Sequence, residues 1–184
     1  MNKYFLTCPR GLEEITSQQI SKYIKSKPAV DLGGVKFTGK KQDMYTVNLH
    51  SRTGMHLLQE LYSFTINNEK DVYKKVYNFE WEKILTPHKT FMIKTKSKNF
   101  QNTNYFTLKI KDAIVDNIRS KFGKRPSINK LEPDIILSII IKEKQVKIYI
   151  DTSGSPLFKR GYRTKIHKAA LNESLAAGLI LLSN

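Results

Sequence analysis

Tyr4-Phe5-Leu6-Thr7-Cys8-Pro9-Arg10-Gly11-Leu12-Glu13-Glu14-Ile15 passes from a strand pattern to a helix pattern within one short stretch. Tyr4 to Thr7 favour a strand, and Pro9 stops it because proline has no amide to give to a ladder. Leu12, Ile15, Ile20 and Tyr23-Ile24 then recur at close to 3.6-residue spacing, with Glu13 and Glu14 in the first turn, where the helix dipole favours carboxylates. Gly33-Gly34 marks a turn. Val35 and Phe37 alternate with Lys36 and Thr38, and residues 44–49 (Met-Tyr-Thr-Val-Asn-Leu) continue the strand pattern. Met55, Leu57-Leu58 and Leu61-Tyr62 predict a second helix, and Phe64-Thr65-Ile66 a last strand. The order is βαββαβ, which makes residues 1–66 an α+β, ferredoxin-like subdomain.

Further along, Val72, Val76, Phe79, Trp81 and Ile84-Leu85 predict one or two short helices ending at Pro87. Phe91, Ile93 and Thr95 share one side of the next strand, while Lys94, Lys96 and Lys98 share the other, because side chains alternate with period two. Phe106, Ile110, Ala113-Ile114, Ile118 and Phe122 mark a helix closed by Gly123. Asp134 to Ile141 is a nearly continuous apolar strand; Glu143-Lys144-Gln145 turns it into a partner, Val146 to Ile150. This second α/β unit spans residues 67–155, although a sequence profile starting near residue 43 fits the same pattern. Residues 156–184 form a basic linker and a helix apolar on more than one side, expected to lead into a further domain.

The chain of 184 residues has 32 Lys+Arg against 16 Asp+Glu, a net charge of +16. Residues 1–66 hold 9 basic and 5 acidic residues, a net of +4, and residues 67–184 hold 23 and 11, a net of +12. A surplus on that scale points to a polyanionic partner and places most of the attraction in the second unit. Apolar and charged fractions of 40% and 26% exclude wholesale disorder. No apolar run approaches the ~20 residues of a membrane span, and no secretory segment opens the chain, so the reading is a soluble, intracellular, cytoplasmic protein without membrane partners. The single cysteine, Cys8, excludes an internal disulfide framework and a CxxC zinc site.

Three cationic groups are candidate RNA contacts. Pro156 to Lys168 contains Lys159, Arg160, Arg163 and Lys165, with Phe158, Tyr162 and Gly161 among them; arginine takes phosphate bidentately and Tyr162 can stack a base. An equal reading makes this stretch a connector whose cations bond carbonyls. Lys94, Lys96 and Lys98 form a second group: cations that repel one another are tolerated beside a phosphate backbone, or on a solvated strand edge. Lys124 and Arg125 form the third, at a helix C-terminus where the dipole favours cations in any case. Catalytic signals are poor. His50 and His56 stand apart from other ligand types, and no GxGxxG, GxxxxGK[ST] or GxSxG occurs. No catalytic, cofactor-binding or metal-binding residue is therefore assigned.

Cys8-Pro9-Arg10-Gly11-Leu12-Glu13, Gly33-Gly34-Val35-Lys36-Phe37 and Asn48-Leu49-His50-Ser51-Arg52 resemble the N-terminal blocks of a bacterial methyltransferase family. So do residues 107–114, Gly123-Lys124-Arg125-Pro126-Ser127, and Asp151-Thr152-Ser153-Gly154 followed by Lys159-Arg160-Gly161-Tyr162-Arg163. These are the THUMP-containing class I enzymes that modify guanine N2 in large-subunit ribosomal RNA, members of which are often labelled N6-adenine-specific DNA methylases. The resemblance implies a ferredoxin-like subdomain, a THUMP RNA-binding domain, and a Rossmann-like domain binding S-adenosylmethionine. That last domain's Asp-Pro-x-Cys-Gly-Ser-Gly loop and Asn-Pro-Pro-Tyr motif are absent here, so the cofactor is expected elsewhere in a longer protein, and this stretch alone is not expected to be an enzyme. Phe158 stands where relatives more often carry His. The implied function is an RNA-targeting module, with ribosomal RNA and its own methyltransferase domain as partners. The alternatives are a docking module for that domain or an acidic protein, or the targeting part of a tRNA-modifying enzyme.

Overall fold

A computed structural model describes residues 1–67, 70–97, 103–161 and 170–183. The chain divides into two units, one made of residues 1–60 with 151–184 and the other of residues 61–150.

The first unit begins with β1 (Asn2–Thr7), α1 (Glu13–Ser21), β2 (Ala29–Asp31), β3 (Gly34–Gly39), α2 (Lys41–His50) and β4 (His56–Thr65). Its strands lie in the order β2-β3-β1-β4, and every pairing among them is antiparallel. Tyr4 faces Phe37 across the sheet, and Leu6 sits between Val35 and Leu57. Ile20 and Ile24 from the α1 region and Met44 and Val47 from α2 bury against this row. Leu157 completes the core from the far end of the chain, its amide donating to the Met55 carbonyl at 2.8 Å. The motif around Gly11 has a local cause. Gly11 adopts φ +87°, and the Glu13 carboxylate accepts the amides of Gly11 (2.8 Å) and Gly33 (3.0 Å), tying the start of α1 to the β2–β3 turn.

The βαββαβ order holds, but two elements differ from the sequence reading. Residues 44–49, expected as a strand, belong to α2: Met44 and Val47 are buried at i and i+3 while Tyr45 and Leu49 point outward. Asp43 starts this helix by accepting the Lys40 amide at 2.7 Å. Residues 55–62, expected as a helix, fall largely in β4. Leu57 and Leu58 are buried on opposite faces beside Leu6 and Phe5, and a strand covered on both faces reads as a continuous apolar run.

In the second unit α3 (Lys70–Tyr77) and a 3-10 turn (Trp81–Lys83) precede β5 (Thr90–Ser97), α4 (Thr103–Phe122), β6 (Ser127–Ile128), β7 (Ile135–Lys142) and β8 (Gln145–Asp151). The strand order is β8-β7-β5-β6, with β5 parallel to both β6 and β7, and β7 antiparallel to β8. Ile110, Ile114 and Ile118 of α4 pack on Leu137, Ile139 and Ile148, and the fully buried Trp81 donates its indole N–H to the Val76 carbonyl at 2.7 Å. Gly123 ends α4 at φ +70°, as the sequence predicts.

α5 (Glu173–Ser183) returns to the first unit and packs on α1. Gly178 lies against Leu12, whereas Leu179, Ile180 and Leu182 remain at least half exposed. No helix among the described residues is long and apolar enough to cross a membrane.

Candidate nucleic-acid interface

The helices of the second unit bury one face of its sheet and leave cations on the other. Period-two alternation sends Ile135, Leu137, Ile139 and Ile141 into the core, so Ser138, Ile140 and Lys142 take the opposite face. Lys94 is in register with Ser138 and Lys96 with Ile140; both lysines are exposed, and no carboxylate pairs with either among the described residues. On β8, Lys147 is in register with Ile140 and joins the same face. Lys142 and Lys147 were not singled out from sequence, although the alternation through residues 135–150 contains the signal.

Lys124 and Arg125 are exposed too, but stand elsewhere. They precede β6, whose Ser127 pairs with Thr90 at the beginning of β5. Lys96 lies six residues up that strand, roughly 20 Å away at about 3.3 Å per residue. The structure therefore does not bring these two groups together. Asp134 fastens this lower end by accepting the Thr90 amide (2.7 Å) and hydroxyl (2.8 Å), which hold its carboxyl below the ordinary range. Lys98, Tyr162, Arg163 and Lys165 lie outside the described residues.

Lys159 and Arg160 belong to the first unit. Lys159 is exposed; Arg160 is half-buried, and its Nη2 donates to the carbonyls of Asn48 (2.8 Å) and Ser51 (3.0 Å) at the end of α2. That is the connector-type contact weighed from sequence, and it also sets a positive charge at the negative end of the helix dipole. Asp151-Thr152-Ser153 anchors the same segment. Thr152 donates its amide and hydroxyl to the Leu57 carbonyl at 2.9 and 2.8 Å, and Ser153 Oγ accepts the Leu57 amide at 2.7 Å. Asn48 closes the network, accepting from Ser153 Oγ at 3.0 Å and donating to Thr152 Oγ1 at 3.2 Å. Between α2 and residues 152–160 lies an open cavity of about 370 Å³.

His56 lies beside a carboxylate: its Nδ1 is 2.8 Å from Oδ2 of Asp151, whose side chain is buried, although the angle does not make a hydrogen bond. Burial pushes the Cys8 thiol above its ordinary range, against a hydrogen bond with Thr16, which suits a core residue rather than a nucleophile. Among the described residues no three His, Cys, Asp or Glu side chains gather as a metal site.

Comparison with known proteins gives these features a family. The THUMP domain model matches residues 67–151, and the RlmL ferredoxin-like domain model matches residues 3–58. Ribosomal RNA large subunit methyltransferase K/L of Cellvibrio japonicus is 34% identical over 183 residues, covering 98% of this chain and 24% of that protein. The protein of the same name from Psychromonas ingrahamii is 38% identical over 182 residues, with 98% and 24% covered. The structure of SMU.472, described as a candidate methyltransferase and complexed with SAH, is similar at TM-score 0.85 and 27% identity, covering 100% of this chain and 49% of that one. The chain thus spans about a quarter of the length of these curated relatives and about half of that structure. It combines an N-terminal ferredoxin-like domain of RlmL type over residues 3–58 with a THUMP domain over residues 67–151.

Proposed function

We propose that this chain holds RNA for a methyl-transfer domain, as the targeting part of an S-adenosylmethionine-dependent enzyme acting on guanine N2 of large-subunit ribosomal RNA in the cytoplasm. The observation that carries the reading is the cationic face of the THUMP sheet opposite its packed helices, where Lys94, Lys96 and Lys142 are exposed. Lysines on a pleated surface act as point charges that follow a phosphate backbone and carry little base information. Such a surface positions structured RNA while recognition and chemistry proceed elsewhere.

Methyl transfer needs a donor, and the two fully described strand-to-helix loops do not fit one. In the fully described strand-to-helix loops, the Gly11 amide is already given to Glu13, and Gly39 is filled on its open side by Asp43. A carboxylate at each position repels the carboxylate of the donor's amino-acid moiety, so neither loop suits the donor, which this reading assigns to the methyl-transfer domain that the chain serves. Docking onto that domain is a second role, favoured by the exposed Leu179, Ile180 and Leu182 of α5.

Salt titration of RNA binding tests the main reading. With about four to six phosphates neutralised on loop or single-stranded RNA, log K falls against log salt with a slope of about −3 to −4. Lys94→Ala with Lys96→Ala flattens the slope by about 1.4 units and leaves the fold intact. An unchanged slope and affinity remove the sheet face from the interface. Parallel titrations with ribosomal RNA fragments and tRNA separate the two substrate classes.

A further inference from the structure

We infer that the cavity between α2 and residues 152–160 is a binding site for one nucleotide of a single-stranded RNA segment. The inference rests on the RNA-binding reading above but places a contact within the ferredoxin-like unit. The volume, about 370 Å³, falls within the range of small-ligand sites. No carboxylate lines it, while Lys159 and Arg160 do, so its charge favours an anion. Arg160 meets a ligand already oriented, because two backbone carbonyls hold one end of its guanidinium. Less side-chain freedom is then lost on binding than a free surface arginine would lose.

The other wall suits a base and ribose. Tyr45 and Leu49 stand one turn apart on α2, 53% and 67% exposed, and Pro156 lies across from them. An exposed ring can stack any base on the face that Lys41 Nζ, 5.8 Å from the ring centre, leaves free. Asn48, Thr152 and Ser153 form the floor and are tied up by their mutual bonds, so they give the site rigidity. The exposed Ser155 adds a hydroxyl at the rim. A phosphate beside Lys159 and Arg160 with its base against Tyr45 uses both walls.

Amide NMR titration of the whole 184-residue chain with 5′-uridine monophosphate, inorganic phosphate and a short oligouridylate tests this. The nucleotide and the oligomer are expected to shift amides at 45–49 and 152–160, whereas phosphate moves the 152–160 set alone. Tyr45→Ala and Lys159→Ala, both exposed and outside the core, each weaken the nucleotide response about five-fold or more. Equal responses to phosphate and nucleotide, unaffected by Tyr45→Ala, overturn the inference. So does silence at these amides with all three probes, whatever the RNA affinity of the chain. Persistence of the shifts in the Lys94/Lys96 double variant supports it, because failure of the sheet reading then leaves the cavity unaffected.

Discussion

Gly178 occupies the crossing of α5 on α1, where an added Cβ would run into the Leu12 side chain. Glycine inside a helix ordinarily costs about 1 kcal/mol relative to alanine, so propensity alone would make Gly178→Ala stabilising. Contact decides otherwise, because forcing a methyl group into packed side chains costs about 1–3 kcal/mol. Thermal unfolding should show a lower Tm for Gly178→Ala, and the loss should shrink when Leu12→Ala makes room, a coupling that a double-mutant cycle reads. Asp134 makes a different single-residue test. Its carboxyl, held low by Thr90, contributes stability that is present above the unfolded carboxylate range and lost as pH falls through the lower folded value. Asp134→Asn should therefore be the less stable protein at pH 7, with the gap closing below about pH 4. A gap that persists at low pH would show that the Thr90 contacts do not depend on charge.

α2 is the element most dependent on distant chain. Its end is held by Arg160 and its outer face by the Asn48–Thr152–Ser153 bonds, so the helix is fastened by residues more than a hundred positions later. Arg160→Ala and Asn48→Ala should each cost about 1–3 kcal/mol in denaturant unfolding, with lost amide protection centred on α2 and β4. This dependence also explains why α2 misreads as a strand. Tyr45, Val47 and Leu49 satisfy alternation about as well as Met44 and Val47 satisfy helical spacing, and the contacts that decide between them lie outside the local sequence. β4 misreads for the opposite reason, since burial on both faces erases its alternation. α4 and the β7–β8 hairpin were legible because twenty residues of helical spacing and a long apolar run leave one interpretation. β2 and β6, three and two residues long, carry too few side chains to show a period. Of the candidate interface, the shared face of Lys94 and Lys96 could be read from alternation. The cavity could not, because its two walls come from opposite ends of the sequence.

The first unit is interrupted in sequence by the whole of the second. Leu157 supplies part of its core, Thr152 and Ser153 bind Leu57, and α5 covers α1, so residues 1–60 alone lack one side. A chain shortened to residues 1–150 should keep hydrogen-exchange protection at Ile110, Ile114, Leu137 and Ile139 while losing it at Leu6, Ile20 and Val47. Equal protection in both sets would show that the first unit closes without its last segment. The same interruption imposes an order during translation. Residues 1–60 emerge first, yet the segment that completes them follows only after residues 61–150 have been synthesised, a wait of roughly 5–18 s at about 5–20 residues per second. Throughout that interval the newborn N-terminal strands depend on chaperones or on residual structure of their own, while the THUMP sheet that follows them in sequence is the first part able to mature.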